Sequence, residues 1–309
     1  MLNVIYILMI STLRMGTPLA LTALGGVMSE KSGVTNIGLE GIMTASAFSA
    51  VVGSYYTGSA LVGIAAAIVV GILVAAIHSF VSVTVGGNQN ISAMGIVLLA
   101  NGFTVVGLNA IFKSSGNSAQ VNGLPSSPLL SGIPVIGGFL SSLSPFVYIA
   151  FIALFVVMWI VKKTPLGLRI MMVGEHPKAA ETAGIGVHRI RYFSVLMSGV
   201  LGGLGGAYLS LGQMNLFQDG MVSGRGYLAL GAVIMGKWSP LGAFMSAMFF
   251  GFFEAIQIYV QMIPNFPLPH EFIQMIPYIA SLIVLAGFIG KAEGPAAIGK
   301  PYSKYVDSR

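Results

Sequence analysis

Long uninterrupted stretches of apolar residues limit how this chain can fold more than any other feature. Each stretch runs for about 20 residues, the length at which a helix crosses the hydrocarbon core of a bilayer. A transmembrane barrel would instead need short segments in which apolar and polar residues alternate. Backbone groups inside a bilayer must bond to one another, so we interpret the stretches as helices. They lie at 4–24, 38–57, 60–84, 90–112, 143–161, 192–212, 226–236, 241–262 and 272–290.

The composition supports this interpretation, because 55% of the residues are hydrophobic and only 8% are charged. A soluble domain of this size carries about 25% charged residues. The sequence therefore predicts an all-α, polytopic transmembrane bundle of about nine spans, formed by residues 1–309 as a single domain. The stretch at 226–236 is too short to span as a straight helix, so neighbouring residues continue it or it packs against protein as a half-helix. A weak similarity between the first two spans and the sixth and seventh would correspond to an inverted repeat.

The distribution of Lys and Arg predicts which side each loop faces, because these residues are enriched in cytoplasmic loops. Ten of the fifteen lie either between Lys162 and Arg191 or after Phe288. We therefore predict that residues 163–191 form a cytoplasmic loop and that residues 291–309 form a cytoplasmic tail.

Nine crossings then place the amino terminus outside the cell. The segment 113–142, rich in Ser, Gly and Pro, becomes the main external loop, and Lys113 and Arg225 are the basic residues left outside. The net charge of +6 is explained by these topological anchors, so we expect no nucleic-acid partner.

Several classes of active site are excluded or unsupported. The chain has no cysteine, so it has neither disulfides nor thiolate metal ligands. No two of its four histidines are spaced four residues apart, as a metal site on a helix would require: His78, His176, His188 and His270. It also lacks a Gly-rich phosphate loop ending in Lys-Ser or Lys-Thr. We therefore expect no cofactor in this chain and no ATP hydrolysis by it.

Few ionisable residues fall within the predicted spans. They are Arg14 in the first span, Glu40 near the start of the second and Glu254 near the middle of the eighth. A proton- or sodium-coupled carrier usually buries several such groups near the bilayer midplane. The sequence therefore favours an energy source outside this chain.

The predicted cytoplasmic loop contains a short helix. Pro177 suits a first helical turn, alanines follow it, and Gly184 can end the helix in the left-handed conformation. About two turns are not stable alone in water, so the helix must be held by packing. Two interpretations remain open: it rests on the ends of the chain's own helices, or its small face inserts into a cleft of a cytoplasmic partner.

Three stretches carry a resemblance to a known family. The loop sequence GEHPKAAETAGIGVHRI (174–190) resembles the coupling segment of bacterial ABC importer permeases of the branched-chain amino acid, ribose and nucleoside group. SEKSGVTNIGLEGIM (29–43) and GRGYLALGAVIMGKWSPLGA (224–243) resemble signatures of the nucleoside and simple-sugar branch. The chain is most similar to the shorter of the two permeases in that branch.

The resemblance implies a permease in the bacterial cell membrane that transports a nucleoside or a simple sugar. It further implies a homologous second permease, cytoplasmic ATPases that bind ATP and Mg²⁺, and an extracellular substrate-binding lipoprotein. The residues that match the ATPase-contacting segment are Glu175, Pro177, Ala180, Glu181, Gly184 and Ile185. In the NIGLEG stretch, Asn36 and Glu40 are assigned to the substrate pathway on the resemblance alone.

Two polar stripes are further candidates for the pathway. In the eighth span, one helical face carries Ser246, Phe250, Glu254, Gln257 and Gln261. A carboxylate at that depth costs about 2.5–3.5 kcal/mol unless water or a partner meets it, so lipid is excluded from this face. In the fourth span, Asn90, Asn101 and Thr104 are predicted to share a face. Either stripe can line a pathway for a neutral polar solute or hold helices together.

In the sixth span, glycines recur four residues apart, at Gly199 and Gly203 and at Gly202 and Gly206. This spacing favours close helix packing over a flexing point for gating.

Other functions remain as alternatives. A permease for ribose or galactose fits the same resemblance, and an ATP-independent channel or carrier would not need the loop helix. An intramembrane enzyme is disfavoured, because Glu254 has no acid or histidine partner evident in the sequence.

Overall fold

The computed structural model describes residues 2–124, 138, 141–263, 267–287 and 293–302. Parts of the predicted external loop, tail and last span therefore lie outside the described residues. Over the described ranges the chain forms no β-strand, only an isolated bridge between Asn117 and Gln218. The α-helices are α1 (Leu2–Lys31), α2 (Leu39–Thr57), α3 (Ala60–Ser79), α4 (Gln89–Gly107), α5 (Pro145–Lys163), α6 (Pro165–Glu175), α7 (Pro177–Thr182), α8 (Val187–Ala207), α9 (Arg225–Met235), α10 (Pro240–Gln261), α11 (His270–Gln274) and α12 (Ile276–Gly287). Helices α3, α4 and α8 continue as π-helices over Phe80–Thr84, Leu108–Phe112 and Tyr208–Met214.

Every predicted apolar stretch is helical where it is described, but nine spans are not confirmed. Among the described residues, six helices are long and apolar enough to cross a membrane: Val4–Lys31, Ala60–Thr84, Gln89–Phe112, Pro145–Lys163, Val187–Met214 and Pro240–Gln261. Helix α9 has 11 residues and so covers about 16 Å, half of a hydrocarbon core. Helix α2 has 19 residues but is not among these six, since it contains Glu40 and several hydroxyl side chains. The predicted inverted repeat is not confirmed either.

The bundle has two ends, which α5 and α8 connect in opposite directions. The end that carries residues 113–124 is called the loop end here. The other end carries residues 163–191 and 293–302, which are joined by a hydrogen bond of 2.9 Å from the amide of Ala297 to the carbonyl of Gly174. We call it the coupling end. The side of the membrane that each end faces stays a prediction.

The segment 215–238 runs from the loop end to the coupling end although only part of it is helical. The carbonyl of Asn215 accepts a hydrogen bond of 2.9 Å from Val121 at the loop end. The indole N–H of Trp238 donates to the carboxylate of Glu30 near the end of α1, at the coupling end. The short α9 is therefore the second half of a longer traverse whose first half is irregular chain.

Helix α2 lies at the centre of the bundle, in contact with α3, α4, α8 and α9. All of its residues from Leu39 to Val51 are buried, so protein and not lipid surrounds this half. Its hydroxyl groups bond within the helix, as when Thr44 donates to the carbonyl of Glu40 at 2.8 Å and Ser49 to that of Ala45 at 2.8 Å. Hydroxyl side chains can occupy the centre because carbonyls of the same helix accept hydrogen bonds from Thr44 and Ser49.

The glycines of α8 pack against two neighbouring helices, which confirms the close contacts predicted from their spacing. A Cβ atom built on Gly199 would lie 2.5 Å from the carbonyl oxygen of Gly71 in α3. On the adjacent face, a Cβ on Gly206 would lie 2.3 Å from the carbonyl oxygen of Met43 in α2. Both distances are shorter than van der Waals contact, so these positions admit no side chain without a shift of the helices.

We expect Gly199→Ala to destabilise the protein by about 1–3 kcal/mol, because the added methyl group overpacks the contact between α3 and α8. The thermal unfolding midpoint of the purified protein in detergent measures this change. Gly95→Ala is the matched control, since a Cβ on Gly95 of α4 has nothing within 4 Å. Equal midpoints for the two variants would contradict the packing argument.

Candidate functional site

The predicted loop helix exists and is the short α7. Pro177 occupies its first turn and Gly184 follows it with φ +81°, in the left-handed region that glycine tolerates. The amide of Ile185 then donates to the carbonyl of Ala180 at 3.0 Å, which closes the end of the helix. The helix therefore begins at Pro177 and is followed by Gly184 in the left-handed conformation, as the sequence predicts.

One face of α7 anchors it to the protein and the other is open. Ala180 is fully buried in a small apolar cluster with Val173 and Val187, and Ile185 packs against that cluster. The opposite face exposes four residues: Lys178, Ala179, Thr182 and Ala183. The first interpretation is confirmed, since the helix rests on the chain's own residues. Insertion into a partner stays a prediction, for which the exposed small side chains leave a surface.

The acidic residues of the coupling segment contact residues 293–302, which the sequence analysis did not connect to it. The carboxylate of Glu175 accepts a hydrogen bond of 3.2 Å from the amide of Ala296. The hydroxyl of Tyr302 donates to the carboxylate of Glu181. Burial and the neighbouring Glu181 carboxylate raise the pKa of Tyr302 to about 12, so this phenol stays protonated and keeps donating. The contacts join segments more than a hundred residues apart, for which no local pattern exists.

Glu40 lies at the start of α2 and holds the start of α9. Its two carboxylate oxygens accept hydrogen bonds from the amides of Gly224 at 2.8 Å and Gly226 at 2.7 Å. Gly224 has φ +82°, and a Cβ on Gly226 would lie 2.4 Å from the amide nitrogen of Glu40. Both glycines of the GRGY stretch are therefore required by this contact, in which a carboxylate meets the positive end of a helix dipole. We call this contact the Glu40 clamp.

Glu254 has a charged partner that the sequence did not reveal. Its carboxylate lies 3.5 Å from the guanidinium Nε of Arg225, which begins α9. Arg225 was expected in an external loop, and the structure corrects this because the irregular segment before α9 carries it into the bundle. The pair borders a cavity of about 280 Å³ that is also lined by Ser223, Leu228, Gln257, Gln274, Pro277 and Tyr278.

The predicted stripe in α10 faces the inside of the bundle. Ser246, Phe250 and Glu254 are buried, whereas Gln257 and Gln261 are partly exposed. At Glu254 the stripe therefore joins helices, and at Gln257 it reaches the cavity.

Asn36 is fully buried and donates from its side-chain amide to the hydroxyl of Ser198 at 2.7 Å. Nearby, the ring of His78 bridges the hydroxyl of Ser92 and the carbonyl of Thr35, each at 3.0 Å. These contacts fasten the turn between α1 and α2 to α3, α4 and α8. Asn36 thus serves packing in the structure as it stands.

The predicted stripe in α4 is divided between two faces. Asn90 and Asn101 are exposed, but Thr104 is fully buried and donates to the carbonyl of Asn101 at 2.9 Å. Within the described chain, the side chain of Asn101 makes no hydrogen bond. An exposed amide near the middle of a span is a polar group for which this subunit supplies no partner.

The part of the chain that the structure describes contains no group of three or more His, Asp or Glu residues able to hold a metal ion.

A family model and several related proteins place this chain among transport permeases. A family model described as the permease component of the branched-chain amino acid transport system matches residues 8–286. The guanosine ABC transporter permease NupQ of Bacillus subtilis is 40% identical, and the alignment covers 98% of both chains. The nucleoside ABC transporter permease NupC of Lactococcus lactis is 37% identical, again over 98% of both chains.

More distant relatives match as well. A putative glucose ABC transporter permease of Haloferax volcanii, TsgC13, is 30% identical over 96% of this chain and 97% of its own length. A second nucleoside permease of Lactococcus lactis, NupB, is 26% identical over 93% of this chain. No solved structure matches. The match over nearly the whole length shows that this chain belongs to the family of permease components of branched-chain amino acid transport systems.

Proposed function

We propose that this chain is the membrane-spanning permease subunit of an ATP-driven ABC importer of nucleosides. The observation that carries the proposal is the likeness to NupQ and NupC, both named for nucleosides, over nearly the whole length of all three chains. A sugar permease is the second candidate, favoured by the likeness to TsgC13, which is named for glucose. A member of a permease family moves its substrate across the membrane and does not change it chemically.

The energy would come from a separate cytoplasmic ATPase that binds ATP and Mg²⁺ and docks on the exposed face of α7. Helix-in-groove docking needs a short helix with a small, accessible face on a firm base. Helix α7 meets both requirements, since Ala180 anchors it and Ala179 and Ala183 are exposed. Of the predicted contact residues, Glu175 and Glu181 would act by holding the helix against residues 293–302.

For this docking, the coupling end must face the cytoplasm, as the distribution of basic residues predicts. The loop end would then face outward and receive a substrate-binding lipoprotein. A cavity of about 410 Å³ opens there, lined by Arg14, Met15, Leu124, Ser142, Ser144, Gly212, Gln213 and Met214. We retain nine crossings, with residues 215–238 as the seventh, and this odd number places the amino terminus outside.

A second permease subunit would cover the exposed face of α4. Asn101 lies near the centre of the Gln89–Phe112 span and is exposed without a hydrogen bond to the described chain. Burying an unpaired amide in hydrocarbon costs several kcal/mol, so this face needs a protein neighbour or water. A substrate pathway between two permease subunits would provide a protein neighbour and water for this face. We propose that Asn90 and Asn101 line that pathway and that Gln257 reaches it from the cavity beside Glu254.

The inverted repeat remains part of the proposal. Helices α2 and α9 both start inside the bundle, where the Glu40 clamp joins their first turns. Each follows an irregular segment that enters from one end, residues 32–38 from the coupling end and residues 215–224 from the loop end. Two helices that start inside the bundle and meet at their first turns, after segments that enter from opposite ends, are an arrangement that an inverted repeat would produce.

Substrate competition tests the transported class. With the complete importer in proteoliposomes, we expect excess unlabelled purine or pyrimidine nucleoside to reduce uptake of labelled guanosine at least about tenfold, which corresponds to occupancy of one shared site. Ribose, galactose and glucose should leave guanosine uptake unchanged. Competition by the sugars alone would support the second candidate instead.

A substitution on the open face of α7 tests the coupling role. We expect Ala183→Arg to weaken ATPase binding at least about tenfold, equivalent to about 1.4 kcal/mol, because it adds bulk and charge to a small docking face. Co-purification of the ATPase and ATP-dependent uptake measure the loss. Ala119→Arg is the control, since Ala119 is equally exposed but lies at the loop end. Uptake that survives Ala183→Arg without bound ATPase would indicate a self-sufficient carrier.

A pair of variants separates pathway residues from structural ones. Asn101→Ala should raise the KM of uptake about 2- to 12-fold through the loss of one hydrogen bond of about 0.5–1.5 kcal/mol, and leave the unfolding midpoint unchanged. Glu40→Gln should lower the midpoint, because an amide replaces a carboxylate that accepts two backbone hydrogen bonds, each worth about 1.5–3 kcal/mol. If Asn101→Ala lowers the midpoint as much as Glu40→Gln, the α4 face is structural.

A further inference from the structure

Residues 293–302 form a compact strap against the coupling segment. The amide of Ala297 donates to Gly174 at 2.9 Å, and the amide of Gly299 donates to Gly33 at 3.2 Å, so the strap is fixed to both α6 and the end of α1. A Cβ on Gly294 would lie 2.9 Å from the indole of Trp238, which leaves no room between the strap and the turn before α10. The strap is therefore a fixed part of the coupling end.

A cavity of about 540 Å³ separates the strap from α7. Its walls are small and apolar, formed by Pro177, Ala179, Ala296, Ala297 and Pro301, and the remaining lining residues are Glu175, His176, Lys178, Arg191, Lys300 and Tyr302. Lys178 and Ala179 also belong to the exposed face of α7, so the cavity and that face form one continuous surface. The volume suits one or two side chains and is too small for a helix.

Arg191 is the unusual residue of this cavity. Its side chain is 1% exposed, and one guanidinium nitrogen, Nη1, donates to the carbonyl of Lys300 at 3.1 Å. The other two nitrogens, Nε and Nη2, are buried and make no hydrogen bond within the described chain. The guanidinium carbon Cζ lies 6.0 Å from the ring centroid of Tyr302. A buried cation without a paired anion is unfavourable, and a nearby anion stabilises its charge.

The charges around the cavity also favour an anion. Three cations, Lys178, Arg191 and Lys300, line it against one carboxylate, that of Glu175, which accepts a hydrogen bond from the amide of Ala296. The ammonium of Lys300 donates to the carbonyl of Ala296 at 2.9 Å, which uses one of its three donors and leaves its charge unbalanced. A carboxylate on a partner that already covers Lys178 and Ala179 would meet all three cations.

We propose that the strap completes the ATPase docking surface, and that the cavity between the strap and α7 receives an acidic side chain of the ATPase, which pairs with Lys178, Arg191 and Lys300. The proposal rests on the proposed function, because it extends the docking surface from α7 to the carboxyl-terminal residues. In this docking surface, the small side chains of α7 would fit the shape of the ATPase, and the cations of the strap cavity would attract its acidic side chain. The anionic headgroup of a phospholipid has similar chemistry, and the tests distinguish it.

Charge reversal tests the cavity without disturbing the buried Arg191. With the complete importer, we expect Lys300→Glu to weaken ATPase binding at least about tenfold, and Lys178 is left unchanged because it also lies on the exposed face of α7. The weakening should diminish as salt is raised, because the attraction between exposed charges is screened. Lys237→Glu is the control, since Lys237 is also exposed at the coupling end but does not line the cavity. Unchanged unfolding midpoints would establish that all variants fold.

The results separate this proposal from the one on which it rests. If Lys300→Glu binds the ATPase as wild type does while Ala183→Arg does not, the strap cavity is not a docking site and the coupling role of α7 stands. If neither variant affects ATPase binding, both proposals are wrong. If the loss appears only in vesicles that contain phosphatidylglycerol and not in neutral ones, a lipid headgroup occupies the cavity and the proposal is wrong.

Crosslinking gives a direct second measurement. The chain has no cysteine, so a single cysteine introduced as Ala296→Cys can be labelled with a benzophenone maleimide at one position only. We expect irradiation of the importer to join this position to the ATPase. A cysteine introduced as Ala119→Cys at the loop end should give no such product. A crosslink from position 296 that reaches lipid or this chain alone would overturn the proposal.

Discussion

The Glu40 clamp joins the first turn of α2 to the first turn of α9 inside the bundle of this permease. In water, a carboxylate exchanges its partners freely, but inside a bilayer every polar group must find a partner within the protein. Glu40 satisfies this requirement with the amides of Gly224 and Gly226 at the start of α9, where a helix lacks internal acceptors for its first N–H groups. The start of α9 and the carboxylate therefore stabilise each other, which allows a helix to begin far from the water.

The same requirement explains the rest of the core. Helix α2 can be rich in hydroxyl residues because neighbouring helices keep lipid away from it, and Arg225 can enter the bundle because Glu254 receives it. Helix α4 differs, since Asn101 is exposed and its side chain makes no hydrogen bond to the described residues. The carboxylates of Glu40 and Glu254 thus have partners inside the bundle, whereas Asn101 is exposed on the face where we propose a second subunit.

The two surfaces that we assign to partners differ in how they are built. Helix α7 presents small side chains on a base formed by Ala180, and the strap cavity presents cations around the buried Arg191. The strap bonds to Glu175, to Glu181 and to Gly33 after α1, so it links the coupling segment to the end of the first transmembrane helix.

The sequence by itself determined the helical membrane class, the positions of the apolar helices, the short α7 with its Pro177 start and Gly184 end, and the close packing around Gly199, because these follow from local periodicity and residue chemistry. Only the tertiary structure decided that Arg225 pairs with Glu254, that Glu40 holds α9, that Thr104 and Asn101 lie on different faces, and that the strap holds the coupling segment. These contacts join residues that are far apart in the chain, or depend on which neighbour each helix face meets. The packing of the helices determines these partners, and a local pattern of residues cannot predict them.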